Sequence, residues 1–161
     1  MFGIAGLLVS GSLDDANSIA KAIGHRGPDG SRDYQTDVEQ GKGVVAFSHA
    51  RLSIIDLEDS PQPINSDHGC VLMVNGEIYN HMDLRNGLPK NKYVFKGHGD
   101  TETLIVCFDH YGIVSTVEML NGMFAIGIFD HRDSSLHLIR DFAGIKPLHY
   151  GWNDNTVCLL Y

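Results

Sequence analysis

The segment from Met123 to Asp130 is the feature that most constrains the fold of this chain. Both of its alternating sets of side chains are mainly apolar: Phe124, Ile126 and Ile128 in one, and Met123, Ala125 and Phe129 in the other. Because successive side chains of a strand point to opposite faces, such a strand must be covered on both sides. We therefore predict two sheets packed on one another with helices outside, an α+β fold with the four layers α/β/β/α.

Other strand-like runs supply the rest of the two sheets. Residues 2–9 (FGIAGLLV) form a nearly continuous apolar run, which suits a buried strand that starts almost at the terminus. Further strands are predicted at Val44–Ser48, Leu52–Ile55, Val71–Val74, Tyr93–Phe95, Ser135–Arg140, Pro147–Trp152 and Thr156–Tyr161. The runs after residue 122 are separated by turn residues and favour an antiparallel meander.

Helical periodicity is found in a few segments. Residues 14–23 predict an amphipathic helix that ends at Gly24, and Asn80 is predicted to cap a short helix that ends near Asn86. A longer helix with one apolar stripe begins at Asp100 and ends at Gly112. The helices would form the outer layers.

Composition excludes several classes of partner. The 161 residues are 43% hydrophobic and 20% charged, which predicts a single globular domain with a core. The net charge of −8 and the absence of a basic run argue against nucleic acid or an anionic membrane surface as partner. Neither a membrane-spanning run of ~18 apolar residues nor a secretory signal is present, so we expect a cytoplasmic protein.

Several common catalytic patterns are absent from the sequence. It contains no G-x-S-x-G, no G-x-x-x-x-G-K-[ST] and no C-x-x-C, and its histidines lack short ligand spacings, so we expect no metal site. Cys70, Cys107 and Cys158 are widely spaced among apolar neighbours and are predicted to be reduced core thiols. Residues 10–15 (SGSLDD) match the phosphate-binding loop S-G-G-x-D-S only in part, and a plain turn explains them better.

The informative polar residues are Arg51, Asn75-Gly76-Glu77 and Asp100, at predicted strand ends and a helix start. A guanidinium can bind an α-carboxylate through two parallel bonds, and two carboxylates can hold an α-ammonium. An Asn side-chain amide beside a Gly N–H supplies two donors for an oxyanion. Together these groups are suited to a free α-amino acid.

Each of these residues also has a simpler explanation. Arg51 after a strand can be a solvated charge, Asn75-Gly76 is a strong hairpin signal, and Asp100 can be a helix N-cap. The residues alone leave both interpretations open.

Eight motifs follow one another along the chain: MFGIAG, HRGPDG, HARLSIIDL, QP, VNGEIYNH, GDTETL, LNGMFAIGIFD and RDFAGIKPLHY. In these motifs and in their order the sequence resembles class II glutamine amidotransferases, and in particular the N-terminal domain of asparagine synthetases. The motifs run from residue 1 to about residue 150. The fold implied is the N-terminal-nucleophile hydrolase sandwich, in agreement with the layers predicted above.

The resemblance implies a role for each candidate residue. Arg51 would bind the α-carboxylate of L-glutamine, Glu77 and Asp100 its α-ammonium, and Asn75 with Gly76 would form the oxyanion hole. The backbone of Leu52, Ser53, Ile54 and Ile55 would line the pocket. In the family, a cysteine directly after the initiator Met attacks the glutamine side-chain amide, with its own α-amine as base.

Phe2 stands where that cysteine is expected. A phenyl ring cannot attack a carbonyl, and loss of a nucleophile has cost about a millionfold in another enzyme, so we predict no glutaminase activity. Phe2 is also too bulky for the usual removal of Met1, which would cap the amine that serves as base.

The resemblance further implies that residues 1–161 are a type 2 glutamine amidotransferase domain, truncated at its C-terminus, without the synthetase domain. ATP and Mg²⁺ belong to that absent domain, so no cofactor is expected here. Three hypotheses follow: a glutaminase domain that has lost hydrolysis, a non-catalytic module that senses an amino acid or docks on a partner synthetase, or an active glutaminase in which Phe2 is an engineered or erroneous residue.

Overall fold

The computed structural model describes residues 3–9, 23–27, 30–38, 43–51 and 61–160, without the side chains of Leu7, Val9, Arg51 and Leu160. The predicted loop 10–15, nearly all of the helix 14–23 and the strand Leu52–Ile55 therefore lie outside the described residues. The strands are β1 Gly3–Val9, β2 Gly30–Val38, β3 Gly43–Arg51, β4 Ile64–Asn65, β5 Cys70–Ile78, β6 Gly122–Asp130, β7 Ser135–Arg140, β8 His149–Trp152 and β9 Thr156–Leu160. The helices are α1 His81–Gly87, α2 Asp100–Tyr111 and α3 Ile113–Met119, and a 3-10 turn spans Gly24–Arg26.

The described strands form two antiparallel sheets. The first sheet has the order β2-β3-β1-β9-β8, and the second has the order β4-β5-β6-β7. In the first sheet β1 is central, with Gly3 opposite Ala50 of β3. In the second sheet β5 pairs with β6 over its whole length, from Cys70 opposite Asp130 to Ile78 opposite Gly122.

Three clusters of buried residues mark the layers. The cluster between the sheets contains Ile4, Val45, Phe47, Val71, Met73, Ala125, Phe129 and Leu159. A second cluster packs the other face of β5 and β6 on the helices, through residues such as Leu104 and Phe108. On the outer face of the first sheet, Ala5 and Ala50 pack with Ile23. The predicted α+β sandwich of stacked sheets is confirmed.

β6 has the two-sided burial that its sequence predicts. Its residues from Phe124 to Asp130 are all buried, the odd set between the sheets and the even set against the helices. The short apolar run at the N-terminus is likewise a central strand, β1. Each large apolar side chain that such a strand buries, on either face, contributes about 1.5–3 kcal/mol to stability.

Several predicted elements differ from the structure. The strand predicted at Tyr93–Phe95 is wrong: Tyr93 and Phe95 pack on the helical core while Val94 between them is exposed, and no strand of the described chain pairs with them. The predicted meander is also divided, because β7 pairs with β6 whereas β9 pairs with β1 in the other sheet. The polar edge strand β2 and the short helix α3 were not predicted.

Asn80 precedes α1 as predicted, but its side chain does not cap that helix. Its Oδ1 accepts from the backbone N–H of Asn121 and its Nδ2 donates to the carbonyl of Met119, both at 2.9 Å. Asn80 therefore fixes the chain between α3 and β6.

The cysteines behave as core thiols. Cys70 and Cys107 are buried, Cys158 is partly buried, and all are free. Burial raises the pKa of Cys70 and of Cys107 to about 11, and burial also raises the pKa of Cys158. These thiols stay protonated and weakly nucleophilic near neutral pH.

None of the helices in the described part of the chain has the length and the apolar composition of a membrane span.

We predict that Asp141 makes the fold sensitive to acid. This buried carboxylate accepts backbone N–H groups of Phe124 at 3.2 Å and of Ile145 and Lys146 at 2.9 Å. Burial raises its pKa, but these bonds outweigh burial and hold the pKa below its usual value. The unfolded chain therefore takes up the proton first, so the stabilisation is present above about pH 4 and is lost as the pH falls through the folded pKa.

Asp141→Asn should lower the free energy of unfolding by about 2 kcal/mol at pH 7 and by less below pH 4. Urea unfolding at both pH values measures the difference. Asp154→Asn, at an exposed turn position, is the matched control and should change little. An equal loss at both pH values would contradict the assignment.

Candidate functional site

Asn75 is the most unusual polar residue of the second sheet. It lies in β5 opposite Ala125, and only 1% of its surface is exposed. Neither its Oδ1 nor its Nδ2 has a hydrogen-bond partner among the described residues. Since an unsatisfied buried amide costs about 1–3 kcal/mol, such a residue indicates a ligand-binding position more than a structural one.

Gly76 follows Asn75 at a point where β5 and β6 approach closely. A Cβ atom at this position would lie 2.6 Å from Cα of Phe124 and would overlap the carbonyl of Met123. Both groups are backbone and cannot rotate away. The position therefore requires glycine, and Asn75-Gly76 is a strand segment rather than the hairpin that its composition also favours.

The outer edge of β5 is the edge that faces away from β6, and β4 covers it only as far as Leu72. Beyond that point side chains bind its N–H groups: Gln62 Oε1 accepts from Val74 at 2.6 Å, and Asp100 Oδ2 accepts from Ile78 at 2.9 Å. Strand alternation places the N–H of Gly76 between these two, on the same edge. Among the described residues no side chain accepts a bond from it, so it is available as a donor beside Asn75.

Asp100 is the first residue of α2, but its carboxylate does not cap that helix. Gly99 occupies the N-cap position, where no side-chain cap bond is formed. The carboxylate instead faces β5, where it accepts from Ile78 N–H and, at 3.3 Å, from the hydroxyl of Thr101. The simple interpretation of Asp100 as an N-cap is therefore wrong, and its negative charge lies beside the segment Asn75–Glu77.

The loop before Asp100 is held from both sides. Arg85 donates to the carbonyls of Gly97 and Gly99 at 2.8 and 3.1 Å, and it lies 4.0 Å over the ring of Phe95. The carboxylate of Glu102 accepts the N–H groups of Lys96 and Gly97 at 2.7 and 3.0 Å. These contacts fix the start of α2.

The remaining predicted site residues are described only in part. Glu77 is exposed, and strand alternation places it on the same face of β5 as Asn75. Arg51 ends β3, and its backbone pairs with Gly30 next to the pair Ala50 and Gly3. Its side chain lies outside the described residues, as do Phe2 and Leu52, Ser53, Ile54 and Ile55. The predicted roles of these residues stay predictions.

The described part of the site combines two kinds of group. Amide donors at Asn75 and Gly76 can bind an oxygen that carries or develops negative charge. Next to these donors, the carboxylates of Glu77, which follows Gly76 in β5, and of Asp100, which is hydrogen-bonded to Ile78, can bind a cation. A ligand with a carbonyl oxygen and a positively charged nitrogen would satisfy both kinds of group.

Sequence reasoning gave no role to Gln62 and Thr101, both of which are buried. Their contacts connect β5 with the start of α2. The one feature of the sequence that could have drawn attention to Gln62 is the Gln62-Pro63 pair, which is among the motifs shared with the family. No local pattern in the sequence indicates that the amide reaches Val74.

Comparison with known proteins identifies the family of this chain. A family model of the glutamine amidotransferase domain matches residues 1–160. Asparagine synthetase 1 (glutamine-hydrolyzing) of Arabidopsis thaliana is 37% identical over 154 residues, which are 91% of this chain and 25% of that protein. Asparagine synthetase 2 (glutamine-hydrolyzing) of Bacillus subtilis is 41% identical over 133 residues, which are 82% of this chain and 17% of that protein.

A solved structure shows the same fold. Glutamine phosphoribosylpyrophosphate amidotransferase from B. subtilis superposes with a TM-score of 0.79 at 20% identity, over 98% of this chain and 41% of that one. The chain spans about a quarter or less of the length of the asparagine synthetases it matches. It belongs to the glutamine amidotransferase domain family, in the form found in asparagine synthetases.

Proposed function

We propose that this domain binds L-glutamine in the pocket of a glutaminase but does not hydrolyse it. The observation that carries the proposal is the buried amide of Asn75, which has no hydrogen-bond partner within the described part of the chain and lies beside the N–H of Gly76. In the proposed complex these two groups bind the side-chain carbonyl of glutamine, while Glu77 and Asp100 bind its α-ammonium. Arg51 binds the α-carboxylate, and the backbone of residues 52–55 lines the pocket.

Loss of hydrolysis follows from the residue at position 2. Phe2 directly precedes β1 and cannot act as a nucleophile. The described thiols do not replace the missing one: Cys70 is at the far end of β5 from Asn75, Cys107 is on the buried face of α2, and Cys158 pairs with Leu7 in the middle of β1. Their raised pKa values also oppose a thiolate.

A second candidate function is a non-catalytic module that senses an amino acid or docks on a synthetase domain or subunit. It is favoured by the same combination of a retained pocket with no nucleophile, and by the far greater length of the asparagine synthetases that share this domain. In either case we expect a cytoplasmic protein that needs no cofactor in this domain.

Calorimetry with L-glutamine tests the pocket. We expect measurable binding at millimolar ligand, and we expect Asp100→Asn to weaken it at least about tenfold, because loss of a charge that binds an ammonium costs about 1.5–3 kcal/mol. An Asn oxygen can still accept from Ile78, so the fold should be kept. Asp83→Asn, an exposed acid in the first turn of α1, is the matched control and should bind like the unsubstituted chain.

If the unsubstituted chain gives no heat of binding, the proposal that the domain binds glutamine is wrong. Equal affinities for Asp100→Asn and Asp83→Asn would remove Asp100 from the pocket.

A further inference from the structure

We infer that Gln62 and Thr101 are positioning residues that connect the two ends of the glutamine pocket, an inference that rests on the proposed function. Neither residue is predicted to touch the ligand. Gln62 lies in the loop before β4, and Thr101 is the second residue of α2. Both are at least nine-tenths buried, at 8% and 5% exposure.

A continuous chain of hydrogen bonds runs through the two residues. The N–H of Val74 donates to Gln62 Oε1 at 2.6 Å, Gln62 Nε2 donates to Thr101 Oγ1 at 3.4 Å, and Thr101 Oγ1 donates to Asp100 Oδ1 at 3.3 Å. The chain begins one residue before Asn75. It ends on the carboxylate proposed to bind the α-ammonium.

Chemistry fixes the direction of this chain. The backbone N–H of Val74 is only a donor, so the Gln62 oxygen must face it and the Gln62 NH₂ must face Thr101. The hydroxyl of Thr101 then accepts from Gln62, and its single proton is left for the carboxylate of Asp100. The amide of Gln62 and the hydroxyl of Thr101 therefore each have one orientation that satisfies their partners. If the Gln62 amide rotated by half a turn, a buried polar group would lose its hydrogen bond.

The second oxygen of Asp100 is held by the N–H of Ile78 at 2.9 Å. The carboxylate is therefore fixed from both sides of Asn75-Gly76: directly through Ile78, and from Val74 through Gln62 and Thr101. The distance between the oxyanion donors and the ammonium-binding carboxylate must match the length of one amino acid. Two separate connections to β5 set that distance. With a single connection, the carboxylate of Asp100 would be free to pivot.

The test compares hydroxyl and methyl at two buried threonines. Thr101→Val removes the hydroxyl with little change of shape, and Thr101→Ser restores it. Thr116→Val is the matched control, because Thr116 lies in α3, is fully buried, and donates its hydroxyl to the carbonyls of Cys107 and Gly112 near the C-terminal end of α2. Both valine variants should lower the melting temperature.

Glutamine affinity separates the two sites. We expect calorimetry to show binding about tenfold weaker for Thr101→Val, and within about twofold of the unsubstituted chain for Thr101→Ser and Thr116→Val. If Thr101→Val does not fold, Gln62→Met removes the same connection and should weaken binding similarly.

The outcomes are distinct. Normal affinity in Thr101→Val, failure of Thr101→Ser to restore it, or equal weakening in Thr116→Val overturns the positioning role while glutamine binding stands. An absence of binding by the unsubstituted chain overturns the proposed function, and the positioning role with it.

Discussion

Replacing Phe2 with cysteine should convert the chain from an inert domain into one that releases ammonia from glutamine, at a rate at least about a hundredfold above that of the unsubstituted chain. Removal of a nucleophile has cost about a millionfold elsewhere, so partial recovery is a large signal. Cysteine is also small enough for Met1 to be removed, which frees an α-amine with a pKa of about 7.7–8 to act as base. Ammonia release measured with and without glutamine gives the result.

The experiment needs two controls. Mass spectrometry must confirm that Met1 is absent, since a retained Met1 would block the amine. Phe2→Ala frees space and permits removal of Met1 but supplies no thiol, so it should remain inert. A further substitution, Asn75→Ala in the Phe2→Cys chain, should lower the rate about 10²–10³-fold, the usual cost of one oxyanion donor.

An inert Phe2→Cys chain that still binds glutamine would contradict the proposal that only position 2 prevents hydrolysis. The pocket would then have the properties of a binding module. Ammonia release by the unsubstituted chain would contradict the predicted inactivity directly.

The part of the fold that sequence predicts best is the part whose burial is two-sided. β6 and β1 carry apolar residues in both alternating sets, and this pattern predicts the interior position in a sheet that both strands have. β2 was missed because its outward residues are polar and its place in the first sheet comes from pairing with β3. Tyr93–Phe95 consists of residues that favour strands, yet this preference does not show whether a partner strand exists.

For the candidate site, the sequence suggests residues but not the hydrogen bonds that connect them. In the sequence, Asp100 stands at a predicted helix start, and capping that helix is a sufficient local explanation for its carboxylate. That the carboxylate faces Ile78 depends on how α2 packs beside β5. Gln62 was missed for a similar reason: its amide has a role only because β4 is short and leaves the N–H of Val74, on the outer edge of β5, without a strand acceptor.

Gly76→Ala is expected to lower the free energy of unfolding by about 4 kcal/mol or more, which is exceptional for the addition of one methyl group. The new Cβ would meet the backbone of Met123 and Phe124 in β6, so the two central strands of the second sheet would have to separate. Gly151→Ala is the matched control in a strand, because a Cβ there meets nothing within 4 Å. It should change stability by about 0.5 kcal/mol or less.

Gly122→Ala tests the same close approach from the opposite strand. Its Cβ would overlap the carbonyl of Glu77 and lie 3.0 Å from Cα of Ile78. Denaturant unfolding should therefore give similar free energies of unfolding for Gly76→Ala and Gly122→Ala, both well below the value for Gly151→Ala. If Gly76→Ala were as stable as Gly151→Ala, β5 and β6 would not approach this closely, and the N–H of Gly76 would lose its fixed position beside Asn75. A stable Gly76→Ala chain that still binds glutamine would leave the oxyanion site without its structural basis.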